Sequence, residues 1–472
     1  MNSFQYSLPI YIDDINNRHQ AYPDRLVSLL SQNLDFHSEN GRYSSHNLHS
    51  FPAKFPPQLP RKFITGLTEP GDVVLDPMVG SGTTVLEALL AGDRGIGFDI
   101  DPLALMISVV KITPMIFEEV IRIGNLILKQ ARLTTHEKRH DLNQVLENRW
   151  DIRTKQFVEY WFTHETQLEL LALITEIEKI DNLKIRAFFK LVFSAIIITK
   201  SGGVSSALDL AHTRPHKAKF IVDRYGEPIN DSNLIGNPQN LSDSEVLTKT
   251  LRSPIVEFEK RFKNNVKDLL ITAPSRIQPC ITFGDAQSLP LKNSSVDLIV
   301  TSPPYVANAI DYMRAHKFSL VWMGYPIETL GQTRRTYIGG DFVTDIKYEK
   351  LPEKVAEVVA DITTQDKKKG QVLHRYFSEM TRTLREMYRV LKPGKAAIIV
   401  VGSSIMRGRD TETHSCLESI GRTIGFDVPM IGVRKLDRDR RMMPAGAKLN
   451  LNSQIQQRIH EEYVIGFYKP EF

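Results

Sequence analysis

The sequence holds only two cysteines, Cys280 and Cys416, among 472 residues. So few thiols exclude a disulfide scaffold and a cysteine-rich zinc site, and they point to a reducing compartment. No charge of one sign dominates: 60 Lys and Arg stand against 55 Asp and Glu, a net charge of +5. That mild excess permits a polyanionic partner without demanding one. Long apolar runs are also missing. The longest near the middle, Ala195-Ile196-Ile197-Ile198, falls far short of the ~20 residues that span a bilayer. The opening residues, MNSFQYSLPIYIDD, carry no basic stretch followed by an apolar one, so no secretory signal is visible. A soluble, cytoplasmic protein is expected, with no membrane contact. Histidines lack metal-ligand spacing, and no metal is expected. What remains is an ordinary globular composition: 42% hydrophobic and 24% charged residues exclude disorder of the whole chain. At ~100–200 residues per domain the length suggests two to four domains.

Residues 1–48 alternate polar and aromatic character without sustained periodicity and read as an N-terminal arm or a small appended layer. Prolines at 52, 56, 57 and 60 then hold an extended entry to a short helix. In GDVVLDPMVGSGTTVLEALLAGDRGIGFDIDP, Val73-Val74-Leu75 reads as a buried strand and Gly80-Ser81-Gly82 as a turn. Thr83 to Ala91 carries apolar residues at helical spacing, and Gly95 to Asp99 is a second strand. Strand, glycine turn, helix, strand is a βαβ unit, which implies a parallel sheet. Residues 106–275 are largely helical by period and interrupt the sheet between its second and third strands. The sheet pattern resumes at Ile281-Thr282-Phe283 and Val296 to Val300. A polar stretch follows over roughly 328–372, then an amphipathic helix over Tyr376–Val390, a strand, a helix and two final strands.

A strand ending in an acid, a glycine turn and a helix N-terminus make a cradle for a nucleotide or nucleoside. Three ligands compete for it. A dinucleotide fingerprint wants a third glycine where Val85 stands, and a phosphate loop wants a lysine after Gly82 that is absent. S-adenosylmethionine, which needs an acid rather than many phosphate donors, is the third.

The stretch Asp76-Pro77-Met78-Val79-Gly80-Ser81-Gly82-Thr83-Thr84 resembles the cofactor motif of amino-group DNA methyltransferases. HSFPAKFPPQLPRKFI just upstream resembles the accessory cofactor segment of the same family. Thr301-Ser302-Pro303-Pro304-Tyr305, directly after a buried strand, is similar to the family's catalytic loop, [DNS]-P-P-[YFW]. The resemblance covers about 49–105 and 280–470. It implies a class I methyltransferase fold, a Rossmann-like α/β seven-stranded sheet, here split into 49–105 and 276–472 around the helical insertion 106–275. S-adenosyl-L-methionine is the implied cofactor. Phe51, Pro52, Ala53, Lys54, Asp76, Pro77, Gly80, Ser81, Gly82, Thr83 and Thr84 are implied cofactor residues. Asp99 falls where the family binds the ribose hydroxyls, and Asp285 where it contacts the adenine amino group.

The catalytic loop fits its chemistry. An exocyclic amine conjugated with its ring is a poor nucleophile, and needs its N–H bonds held so that a lone pair points at the sulfonium methyl. The Ser302 hydroxyl and the Pro303 carbonyl are suitable acceptors, the latter pinned by proline. Pro304 completes the pair, and Tyr305 offers a face for a base extruded from the duplex. Serine at the first position tends, in the family, to accompany cytosine N4; aspartate or asparagine accompanies adenine N6. The expected function is therefore N4-cytosine methylation of duplex DNA, commonly beside a cognate restriction endonuclease. Adenine N6 methylation, RNA amino-methylation and a catalytically silent binding module are the alternatives. C5 methylation would use a cysteine nucleophile; Pro279-Cys280 precedes the wrong strand, and both cysteines read as structural.

Target recognition has two gaps to occupy, 106–275 and roughly 306–375. Three basic patches are candidates for DNA contact. Arg434, Arg438, Arg440 and Arg441, with Lys435 and Lys448, lie between the last two strands. Arg314 and Lys317 follow the catalytic loop. His212, Arg214, His216, Lys217 and Lys219 sit within the insertion.

Overall fold

The computed structural model describes residues 20–37, 39–210, 216–229, 247–269, 278–306, 311–436 and 461–471. Seven strands form one sheet: β1 (Val73–Asp76), β2 (Arg94–Asp99), β3 (Cys280–Phe283), β4 (Val296–Thr301), β5 (Leu391–Gly402), β6 (Asp427–Lys435) and β7 (Glu461–Tyr468). Their order is β6-β7-β5-β4-β1-β2-β3. The five strands from β5 to β3 are parallel, and β7 runs antiparallel between β5 and β6. This is the class I methyltransferase arrangement that the motif order implies.

Alternation along the strands sorts the side chains onto two faces. In β4, Leu298 and Val300 point one way and Ile299 the other. Leu298 and Val300 join Val74, Ile398 and Val464 in a core beneath α1 (Tyr22–Ser31) and α2 (Gln58–Leu67). Ile299 joins Leu75, Ile399 and Phe467 beneath α14 (Lys367–Val390) and α15 (Thr413–Ile424). Each such fully buried aliphatic side chain is worth about 1.5–3 kcal/mol of transfer free energy.

Helix α1 falls inside the stretch read as aperiodic. Its Leu26, Leu29 and Leu30 have helical spacing and are buried. Two strand glycines let it dock, because a Cβ on Gly466 would stand 2.5 Å from Leu30 Cδ1 and one on Gly432 2.8 Å from the Leu30 carbonyl. Helix α14 is also longer than its apolar pattern suggested. Asp366 caps it by accepting the Lys369 amide at 3.1 Å, so the charge run 366–369 is its first turn.

Helix α3 (Thr83–Ala91) links β1 to β2, and α4 (Pro102–Ile112) leaves β2. The insertion continues through α5 (Phe117–Glu137), α6 (Arg139–Asn148), α7 (Ile152–Trp161), α8 (His164–Glu178), α9 (Leu183–Ile197) and α10 (Pro254–Lys267). Two three-residue strands, Phe220–Val222 and Thr248–Thr250, pair in parallel within it. After β4 come α11 (Tyr312–Leu320), α12 (Ile327–Arg335) and α13 (Glu353–Gln365). The insertion and α11–α12 share one core, in which Trp322 meets Trp150, Phe162 and Phe193. The two sequence gaps flanking β3–β4 therefore build one body. Among the described residues no helix is long and apolar enough to cross a membrane.

Candidate active site

Strand order reverses between β1 and β4, which opens a crevice at their carboxyl ends. The two motifs meet there. Asp76 ends β1, and its Oδ1 accepts from Thr301 Oγ1 at 2.7 Å, the last residue of β4. Thr84, in the first turn of α3, donates to the Val300 carbonyl at 3.1 Å. Burial pushes the Asp76 carboxyl up to about 6, against the lowering effect of the Thr301 hydroxyl and the Met78 amide.

The glycine turn depends on its residue types. Gly80 and Gly82 adopt φ of 47° and 78°, the left-handed region open to glycine. A Cβ on Gly82 would stand 2.9 Å from the Ser108 Cα. Ser108 in turn donates to the Gly80 carbonyl at 2.8 Å, and the Lys111 ammonium to the Ser81 carbonyl at 2.5 Å. Asp99, half-buried at the end of β2, accepts the Gly80 amide at 2.9 Å and the Asp101 amide at 2.9 Å. Burial, with Asp101 beside it, pushes its carboxyl up to about 7.

These groups line a cleft with about 880 Å³ of empty space, open solvent included. Asp76, Pro77, Gly80, Ser81, Thr83 and Asp99 form its floor, and Phe51, Ala53 and Lys54 one wall. Asp285, Ser302 and Pro304 close the side toward β3 and β4. Gly82, Thr84, Pro52 and Pro303 stand behind this lining. Tyr305 also lies outside it: its Oη donates to Glu462 Oε1 at 2.6 Å. Asp285 holds its own turn by accepting the Gln287 amide at 2.9 Å.

Several lining residues carry no motif signal: Asp101, Ala104, Tyr312, Tyr337 and Ile338. A buried polar cluster behind the glycine turn was equally invisible. Glu87 Oε1 accepts from Tyr43 Oη at 2.8 Å and pairs with His46 Nε2 at 2.5 Å, while Lys54 donates to the His46 carbonyl at 2.7 Å. Burial pushes Glu87 up to about 8, Lys54 down to about 8 and His46 well below the usual imidazole value. The cluster ties the upstream segment to α3, and hence to the turn.

A family model described as DNA methylase matches residues 19–109. The type II methyltransferase M.MvaI of Kocuria varians is 24% identical over 83% of this chain and 85% of its own length. M.BsoBI of Geobacillus stearothermophilus is 22% identical, over 84% of this chain and 81% of that protein. Together these matches support an amino-group DNA methyltransferase family for this chain. A solved structure from Thermus thermophilus, a DNA modification methylase complexed with S-adenosyl-L-methionine, is 21% identical over 40% of this chain and 54% of its own, with a TM-score of 0.20. The fold of this methyltransferase rests on its own sheet topology.

Its cofactor is S-adenosyl-L-methionine, and the cleft suits that molecule. Gly80 itself adds no side chain to the floor, the acids Asp76, Asp99, Asp101 and Asp285 line the cleft, and no lysine or arginine lines it except Lys54. Among the described residues no group of three or more His, Cys, Asp or Glu is placed to hold a metal ion. Cys280 is exposed on the edge strand β3, and Cys416 is buried in α15.

One DNA-contact expectation is corrected. Arg434 lies on β6, not in the following loop, and is 5% exposed. It donates to Glu462 Oε2 at 2.6 Å and to the Leu34 carbonyl at 3.2 Å. A guanidinium so enclosed is part of the core and does not reach a phosphate. Arg438, Arg440, Arg441, Lys448, His212 and Arg214 lie outside the described residues. Arg314 pairs with Asp311 at 2.7 Å. The Lys317 ammonium lies over the Phe157 ring at 5.1 Å, and burial lowers its pKa.

Proposed function

We propose that this methyltransferase transfers a methyl group to the exocyclic N4 of cytosine at one short sequence in duplex DNA, in the setting of restriction and modification. The observation that carries the reading is Ser302. It lines the cofactor cleft one residue beyond Thr301, whose hydroxyl is bonded to the acid of the cofactor motif. A hydroxyl at this position, where the family otherwise carries aspartate or asparagine, favours cytosine. The similarity to type II methyltransferases supports the biological setting.

When bound, the cofactor supplies an electrophilic methyl on a sulfonium. The chain supplies position. Asp99 accepts from the ribose hydroxyls and Asp285 from the adenine amino group. Ser302 Oγ and the Pro303 carbonyl accept the two N–H bonds of the target amine, drawing nitrogen out of conjugation with the ring. No strong base is required, since nitrogen bearing the new methyl releases its extra proton readily to a hydrogen-bonded acceptor. A duplex base reaches this loop only by leaving the stack. The Tyr305 ring, held through its hydroxyl by Glu462, stands on the sheet side of the loop as a face for that base. Orientation and fixed dipoles in place of water then account for the rate.

Long-read sequencing of genomic DNA from an expression host, with and without the gene, tests this directly. One motif carrying N4-methylcytosine is the expected result. N6-methyladenine at one motif would overturn the assignment of Ser302 to cytosine. No new DNA mark, from a protein that binds cofactor, would overturn the duplex substrate.

A further inference from the structure

One wall of the cofactor cleft comes from chain that follows the catalytic loop. Tyr312 on α11, and Tyr337 and Ile338 just past α12, line it. A single carboxylate ties this wall to the strand that carries Asp99. Asp101 Oδ2 accepts from Tyr337 Oη at 2.5 Å and pairs with His316 Nδ1 at 2.7 Å. Its Oδ1 accepts the Leu103 and Ala104 amides and so caps α4. Its own amide donates to Asp99, which also accepts from Gly80. His316 is wholly buried, with its ring 5.5 Å from Phe51, and Phe51 stacks on Tyr312 at 5.2 Å. Two segments distant in sequence, at 316 and 337, thus converge on one side chain, and Phe51 joins them through the His316 and Tyr312 rings. A carboxylate with both oxygens occupied has one orientation, so displacement of one donor is felt by the others. The same post-catalytic chain carries Arg314 and Arg334, which share Asp311.

Resting on the methyltransferase reading, we infer that Asp101 is a positioning residue which, through Tyr337 and His316, couples cofactor binding to duplex binding. Cofactor in the cleft meets Tyr312, Tyr337 and Ile338, and so fixes the segment leading away from the catalytic loop. Duplex held by that segment fixes the cleft wall in return. Linkage makes the two effects equal in size.

The test measures affinity for S-adenosylhomocysteine, which has no methyl to transfer, with and without a duplex bearing the methylated motif. The full-length protein is expected to bind it at least about fivefold tighter with the duplex present. Tyr337→Phe and Asp101→Asn are expected to bring that ratio below about twofold, each ratio being taken against the same variant's own affinity without DNA. His316→Asn, which retains a donor toward Asp101, should keep more of it than His316→Leu, and this pair carries the test should Tyr337→Phe not fold. A wild-type ratio near one, or a full ratio in folded Tyr337→Phe, would overturn the coupling. A wild-type protein that binds no S-adenosylhomocysteine at all would instead remove the methyltransferase reading beneath it.

Discussion

At Gly82 two constraints act together. Its φ of 78° disfavours any side chain, and a Cβ would press on the Ser108 backbone. Gly82→Ala is therefore expected to cost about 1–3 kcal/mol of stability and to weaken cofactor binding more than tenfold; chemical denaturation and cofactor titration measure the two. Asp99 makes a pH prediction. Its carboxyl is pushed up to about 7 when folded, against about 4 in an unfolded chain. Between those values the folded protein keeps a proton that the unfolded chain has released. The contribution of Asp99 to apo-protein stability is thus full below about pH 4 and is lost as pH rises through about 7. Cofactor binding runs the opposite way, because ribose hydroxyls donate best to the ionised carboxylate. Affinity should strengthen from about pH 6 to about pH 8, and Asp99→Asn should flatten both profiles. Parallel profiles in wild type and variant would remove Asp99 from the cofactor site.

Strand β4 and its loop divide labour between adjacent residues. Thr301 bonds to Asp76 of the cofactor motif, whereas Ser302 lines the cleft as the proposed acceptor for the target amine. Ser302→Ala is expected to lower kcat about 100-fold or more with cofactor affinity nearly unchanged. Thr301→Val should do the reverse, weakening cofactor affinity and costing about 1–3 kcal/mol, since it strips a buried acceptor of its donor. Single-turnover kinetics beside calorimetric binding separates these patterns; loss of cofactor binding in Ser302→Ala would mean that the loop belongs to the cofactor site alone. The Tyr305–Glu462–Arg434 chain shows how an element relocates a residue. Arg434 lies in a run of charges and reads as a surface contact. The register of β6 against β7 pairs it with Glu462 and turns it inward.

For the molecule as a whole, that inward turn has a measurable consequence. Arg434→Ala should destabilise the protein by about 3–5 kcal/mol, leaving Glu462 buried and unpaired. It should not change the salt dependence of DNA binding, whose slope counts phosphate contacts. A shallower slope in folded Arg434→Ala would restore Arg434 to the DNA interface. The shared core of the insertion with α11–α12 also bears on recognition. Because Trp322 packs against Trp150 and Phe193, the insertion and α11–α12 form one candidate recognition region, whereas α13 packs with α14 and the sheet through Val355, Val359 and Ile362.

Whatever is local is legible in the order of the residues. The acid, glycines and threonines of 76–84 dictate a strand, a left-handed turn and a helix start, and S-P-P-Y after a buried strand dictates a rigid loop of acceptors. Strand alternation and helical spacing define the elements, and motif order implies the sheet. The Leu26-Leu29-Leu30 spacing of α1 is present too, but it is hidden among polar neighbours. Features that depend on meeting across distance come from the fold alone. Asp101, Tyr337 and His316 are ordinary residues until the fold brings 215 and 236 positions of separation to hydrogen-bond range. Glu87, His46 and Tyr43 find one another only once α3 is docked. Arg434 is basic by sequence and buried by register. Local chemistry is written in neighbouring residues because backbone sterics and hydrogen bonding act over a few positions. Burial and long-range pairing are not, because they depend on which face each element turns to the core.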